Sequence, residues 1–295
     1  MFVYVVTSYT APRQTERLVA RLRRDSPGAR IIVSHDRSTP PPSVETLDAS
    51  GAELWLTPQA ITWGDASYLE SLLSVIGGVR LQPNDWLTVL TGQDYPIRPL
   101  GEFESHLLEP GADMLLEEPD DDPQLPLLLQ RYTVRSYRLP KWTDRHRIRQ
   151  VMKHVPGFTM TREPRGLPPY LHRRRLRTPF GETLRLYKGS DLFAVSGRAA
   201  DALVSADPKL LDYYRKTRIP SESYIHTVLR NRRDLRNRPG MLHYARWMDS
   251  PHPVWLTEQD LEEMKSSRLW FARKFHPDDA VLDRLDSTLD HQPAP

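Results

Sequence analysis

Few residues in this chain have the type and setting to do chemistry, and most of them are carboxylates and cations. Ser8 and the pair His35-Asp36 each follow a short apolar run, and Asp94 closes the segment Thr91-Gly92-Gln93-Asp94 after another. Glu222 sits where a helix begins, Arg246 lies in a Leu-His-Tyr-Ala-Arg-Trp segment, and Arg273-Lys274 lies inside Phe-Ala-Arg-Lys-Phe. Groups of these kinds accept protons, receive N–H hydrogen bonds or neutralise anions. Cysteine is absent, which removes disulfides, thiolate metal sites and a cysteine nucleophile together. The histidines do not cluster with carboxylates at ligand spacing, so a transition-metal site is not expected. No G-x-G-x-x-G, P-loop, H-E-x-x-H or G-x-S-x-G pattern occurs. Dinucleotide redox chemistry, P-loop phosphoryl transfer, zincin chemistry and nucleophile-elbow hydrolysis thereby lose their sequence support.

The elements around these residues alternate legibly over the first hundred positions. Phe2–Ser8 reads as a buried strand, Arg13–Arg24 as an amphipathic helix closed by Gly28, and Ile31–Val33 as a second strand ending in Ser34-His35-Asp36. A short helix follows the proline-rich turn at 40–42, then a strand at Glu53–Leu56, a helix at Ala66–Ile76 and a strand at Trp86–Leu90. This order predicts an α/β fold whose mostly parallel central sheet carries helices on both faces. Ligands of such sheets bind beyond the carboxyl ends of the strands, which points to Ser8, His35, Asp36 and the stretch from Gly92 to Asp94. Residues 117–185 read differently: loop-like, first acidic and then basic, with Arg145, Arg147, Arg149, Arg162, Arg165, Arg173, Arg174, Arg175 and Arg177 set among prolines. Order returns with a strand over Tyr187–Val195, a helix after it and another from Ser221. Thr257 and Asp260 form a capping-box pattern before a further helix, and the tail after Asp290 is expected to fray.

The composition is that of an ordinary globular chain. Its 295 residues carry a net charge of only +3, so no polyanionic partner is demanded by charge balance. No apolar run approaches a membrane span, and the first residues resemble a strand rather than a secretion signal, so a cytoplasmic protein is expected. The 27 prolines argue for stiffened loops.

Six segments, in order, carry a family resemblance. They are Ser34-His35-Asp36-Arg37-Ser38, Trp63-Gly64 with Ser67, Thr91-Gly92-Gln93-Asp94-Tyr95-Pro96-Ile97, Lys188-Gly189-Ser190, Pro220-Ser221-Glu222 with Thr227, and Phe271-Ala272-Arg273-Lys274-Phe275. Together the chain resembles the core-2/I-branching β-1,6-N-acetylglucosaminyltransferases and the related peptide xylosyltransferases, as a compact prokaryotic version. The resemblance implies one GT-A domain over residues 1–295, with a variable acceptor-side insertion at about 117–185. It implies an inverting transfer of GlcNAc, xylose or a related sugar from a UDP-sugar to an acceptor hydroxyl on a glycan or small metabolite. It also implies no divalent metal and no cofactor beyond the UDP-sugar.

By the same resemblance Glu222 is the catalytic base, and Lys274 holds the diphosphate with help from Arg246 or Arg273. Ser8, His35 and Asp36 are placed at the nucleotide; Trp63, Gly92, Asp94 and Ser190 at the donor or acceptor sugar. The chain departs from the family in reading Ser221 before the base and His243 where relatives carry the diphosphate arginine, with Arg246 three residues on. Blander readings stand beside these. Glu222 by position alone is a first-turn charge, Trp63 a core residue, and Asp36 a turn cap. The literal Asp-x-Asp at Asp120-Asp121-Asp122 lies between prolines, as in a solvated turn. Two alternatives stay open: a metal-dependent transferase using Asp94 or that acidic loop, and a basic nucleic-acid-binding protein built on the arginines of 145–177. No groove-reading motif supports the latter. The basic stretch also suits an anionic acceptor or peripheral membrane contact.

Overall fold

The computed structural model describes residues 1–119, 123–140, 143, 150–151, 155–161, 169–175, 177–248, 253–278 and 280–291. Asp120-Asp121-Asp122, Arg145, Arg147, Arg149, Arg162 and Arg165 lie outside the described residues, as does the chain beyond His291. The first half builds β1 (Phe2–Ser8), α1 (Pro12–Asp25), β2 (Arg30–His35), α2 (Val44–Ala49), β3 (Ala52–Leu56), α3 (Ser67–Val79), β4 (Trp86–Thr91), β5 (Asp94–Pro96), α4 (Leu100–Leu108) and β6 (Met114–Leu116). Then come α5 (Leu125–Gln130), β7 (Val134–Arg138), β8 (Phe158–Thr161) and β9 (Tyr170–Arg174). The last part holds β10 (Ala194–Ser196), α6 (Gly197–Val204), α7 (Pro208–Tyr214), α8 (Ser221–Arg230), β11 (Asn237–Pro239), β12 (His243–Ala245), α9 (Leu261–Ser266), β13 (Phe271–Arg273) and α10 (Ala280–Asp290).

Seven strands form the central sheet in the order β11-β6-β10-β4-β1-β2-β3, parallel except for β10, which runs against both its neighbours. Side chains of β1 alternate between two apolar layers. Tyr4 and Val6 join the core that includes α1, α4 and α10; Val3 and Val5 join the one under α3, α6 and α8. Burial on both faces explains why β1, β2 and β4 read as continuous apolar runs rather than alternating ones. Their register pairs Ser8 with His35 and Thr7 with Thr91, so three strand ends finish level. A smaller sheet, β12-β13-β5, brings the C-terminal region against the residues just beyond β4. No helix among the described residues is long and apolar enough to cross a membrane.

Four local expectations need correction. Helix α1 ends at Asp25, before Gly28, where the N–H of Ser26 closes the last turn onto Leu22. The region read as loop-like contains α5 and a third sheet, β7-β9-β8. Its strands are hard to read because their spine is polar: His172 bridges Ser136 and Thr161, at 2.9 and 2.8 Å. Where one helix is expected before Ser221 there are two: α7 is the second, beginning at an Asp-Pro step with Asp207 capping Lys209 N. Finally, only Ala194–Ser196 of the strand expected over Tyr187–Val195 pairs in a sheet. The preceding residues instead wrap α8, whose side chains satisfy their backbone. Ser223 donates to Tyr187 O, Thr227 accepts from Tyr187 N, and His226 Nε2 lies 2.8 Å from Ser190 O. The capping box at Thr257 and Asp260 is present.

Candidate active site

A cavity of about 370 Å³ opens beyond the carboxyl ends of β1, β2 and β4, a size and place suited to a small ligand in an α/β sheet. Ser8, Asp36, Trp63, Gly92, Asp191 and Arg273 contribute to its wall. Level strand ends, one tight approach and a returning C-terminal strand create it. Gly92 is required by that approach: a Cβ there would lie 2.2 Å from Thr15 Oγ1.

On one side lie the ends of β1 and β2. His35 Nε2 faces the carbonyl of Thr39 at 3.2 Å, which assigns the proton to Nε2 and leaves Nδ1 to accept from Ser8 Oγ at 2.7 Å. Burial, outweighing the Thr39 carbonyl and Asp36, holds this imidazole below its ordinary pKa. Asp36 Oδ1 receives Ser38 N, Ser38 Oγ and Ile61 N at 3.0, 2.9 and 3.2 Å. With Oδ1 so engaged, Oδ2 is the oxygen this cavity-lining carboxylate offers to a ligand. Trp63 is 40% exposed at the cavity rim, with the Arg218 guanidinium 4.7 Å from its ring, so the core reading of Trp63 does not hold.

Beneath the cavity stands Asp94, fully buried. Its oxygens receive Thr91 N and Thr91 Oγ1, both at 2.6 Å, and lie 3.0 Å from His243 Nε2 and 3.5 Å from Arg273 Nε. Burial alone would raise its pKa, but Arg273 and His243 outweigh that and hold it below the usual carboxylate range. Asp94, expected at the sugar, is enclosed by these four groups, so its carboxylate positions Arg273 rather than lining the cavity. Arg273 is the cation that reaches the wall. Lys274 is not in that wall; its ammonium rests 4.4 Å from the Trp255 ring centroid, its pKa lowered by burial and then by Arg273. Arg246 turns away to Asp260, at 3.0 Å, within the capping box. His243 and Arg273 thus share the place where the sequence offered a choice of cations.

Glu222 occupies the first turn of α8, beside the cavity residue Ser221. Lys188 Nζ lies 3.2 Å and Arg131 NH1 3.6 Å from its Oε2. Sequence reasoning gave neither cation a role. Lys188 was marked by the Lys-Gly-Ser segment, whereas nothing local marks Arg131. Asp191 was also missed; it lines the cavity, and burial and then Glu222 push its carboxyl above the usual range. Ser190 acts through its backbone, its carbonyl meeting His226. Among the described residues, no three His, Asp or Glu side chains gather to hold a metal ion.

An α/β protein with this sheet, and with a site at its strand ends, has the architecture of GT-A-type enzymes. The sequence matches the Core-2/I-Branching enzyme family over residues 51–269, and the chain belongs to that family. Three Arabidopsis thaliana proteins are similar to it. Beta-glucuronosyltransferase GlcAT14B is 31% identical over 50% of this chain and 35% of its own length. GlcAT14A is 35% identical over 40% and 27%, and GlcAT14C 27% identical over 70% and 49%. The chain therefore covers less than half of each of these relatives. A solved mannose-6-phosphate isomerase from Helicobacter pylori aligns with 72% of this chain and 78% of its own at 12% identity and a TM-score of 0.29, too low to bear on the fold.

Proposed function

We propose that this protein is an inverting glycosyltransferase that moves a sugar from a UDP-sugar to an acceptor hydroxyl. One observation carries the reading: segments far apart in sequence deliver a cation, Arg273, and a hydrogen-bond-accepting carboxylate, Asp36, to one cavity beside Glu222. Asp36 Oδ2 is suited to the N–H of a uracil ring. Arg273, with Lys274 next to it, is suited to a diphosphate that gains charge as it leaves. Glu222 then removes the proton of the acceptor hydroxyl as its oxygen bonds to the sugar's anomeric carbon and the bond from that carbon to the diphosphate breaks. Lys188 and Arg131 keep the carboxylate oriented. In this reading protein cations neutralise the leaving group and no divalent metal is used. The names of the plant relatives add UDP-glucuronate to UDP-GlcNAc and UDP-xylose as donors to test.

Thermal shift tests it. UDP, without added metal and in EDTA, is expected to stabilise the protein above GDP, CDP, dTDP and ADP. At a hundred times its dissociation constant a ligand adds about 2.7 kcal/mol. A shift that needs Mn²⁺ overturns the metal-free mechanism, and no shift with any nucleotide overturns the transferase.

A further inference from the structure

A second recess, of about 500 Å³, lies between the β7-β9 ribbon and α7. Among the described residues, five arginines and two lysines line it against one carboxylate, Asp212, which is already paired with Arg215. Arg135, Arg173, Arg174, Arg177, Lys209 and Lys216 are all exposed, and none has a carboxylate partner among the described residues. Most surface cations are solvated singly and need no explanation. These are different, because the strand register sets Arg135 directly opposite Arg173. Like charges facing each other across an antiparallel pair destabilise the ribbon. Arg175 adds to the crowding: its guanidinium is 3.6 Å from the Tyr213 ring centroid, and its Nε is buried without a partner. A concentrated, self-repelling positive recess is stabilised by an anion that bridges it.

The recess is also tied to the active site. Arg131, beside Glu222, is only four residues before Arg135, so their backbones are at most about 14 Å apart. The β7 end is anchored next to the cavity as well, since Ser136 N bonds Lys216 O and Tyr132 Oη donates to Ile219 O. A flat bilayer would meet the rim of such a concavity, whereas a flexible chain with anions along its length can lie in it. We infer that this recess seats a carboxylate-bearing polysaccharide, which delivers a hydroxyl further along the same chain to Glu222. The inference rests on the transferase reading, because it assigns the acceptor of that site.

Binding of polygalacturonate fragments is the test, measured by calorimetry with neutral dextran, single-stranded RNA and phosphatidylserine vesicles as comparisons. Polygalacturonate is expected to bind in low salt, weaken as salt rises, and exceed the other three. The double variant Arg135→Glu with Arg173→Glu loses two attractive contacts and gains two repulsive ones. At about 0.5 kcal/mol for each exposed pair, that weakens binding by about 30-fold. The single variant Arg173→Gln relieves the facing charges, so its melting temperature is expected to hold or rise while polygalacturonate binding falls. UDP stabilisation, read on the same variants, reports whether each is folded and whether the transferase reading stands. If UDP stabilises the protein but polygalacturonate fails to bind, binds regardless of the charge reversal, or is outcompeted by RNA or vesicles, the acceptor assignment is wrong and the transferase reading is untouched. If UDP gives no stabilisation, both fall.

Discussion

At the scale of single residues, the proposed function separates a group that does chemistry from groups that hold others in place. Glu222→Gln keeps the shape of the side chain and removes its proton-accepting capacity. Transfer is expected to fall by about 10²–10⁴-fold with UDP affinity retained; wild-type turnover in this variant would remove Glu222 as the base. Arg273 has two functions in this reading, toward the ligand and toward Asp94. Arg273→Ala is therefore expected to weaken UDP binding and also to destabilise the fold by about 2–3 kcal/mol, since a buried carboxylate loses one of its cations. Lys274→Ala, which removes an ammonium resting on Trp255, is expected to weaken UDP binding with little loss of stability. Urea unfolding and calorimetry on the two variants distinguish these patterns. A Lys274→Ala protein with unchanged UDP affinity would leave the diphosphate to Arg273.

At the scale of elements, the segment Tyr187–Phe193 and α8 act as a unit. Gly189 lies so close to the His226 ring that a Cβ would come within 2.1 Å of it. Gly189→Ala must push the buried imidazole or lift Lys188 away from Glu222. A loss of about 1–3 kcal/mol is expected, with a fall in transfer larger than the fall in UDP affinity. Equal losses in both would show that the change spreads beyond the base.

This unit also shows what sequence reading reaches. The ends of β1, β2 and β4 were legible because apolar runs stop abruptly at Ser8, His35 and Thr91, and parallel topology makes those stops coincide. The strand expected at Tyr187 was misread because its apolar character reflects packing on a helix, and side-chain partners in α8 are invisible to local pattern. Arg131 approaches Glu222 across a long separation with no local mark. The β7-β9 ribbon was hidden by its polar spine and its arginines, which look like loop composition. Arg246 and Arg273 were indistinguishable until β12 and β13 showed which one faces Asp94.

At the scale of the whole molecule, buried imidazoles make stability depend on acid, and of these His172 and His226 are shifted furthest. Burial lowers His172 to about 4, assisted by Arg218 and Arg131. It also lowers His226 to about 4, against the Ser190 carbonyl that favours the charged form. Above about pH 6.5 both are neutral whether folded or unfolded. Between there and pH 4 the unfolded chain binds protons that the folded one refuses, so stability falls as pH falls, by at most about 3 kcal/mol for each imidazole. Below that range Asp94 contributes in the same direction, its stabilising charge being lost as pH drops through its depressed pKa. Urea unfolding at pH 7.5 and 4.5 measures the loss, and His226→Gln is expected to flatten it. A His226→Gln profile identical to the wild type's would mean that His226 is not held neutral.

The small β12-β13-β5 sheet has a further consequence, in the order in which the chain is made. Asp94 leaves the ribosome about 180 residues before Arg273, a delay of roughly 9–36 s at ordinary synthesis rates. During that interval the parallel strands β1 to β4 can associate, but a buried Asp94 would have no Arg273 and no His243 to balance it. Desolvating an unpaired carboxylate costs several kcal/mol, so β5 stays in water until the C-terminal segment arrives. The small sheet beneath the cavity thus closes only after Arg273 has been made, and in the proposed reading a nascent chain cannot hold a nucleotide diphosphate before then.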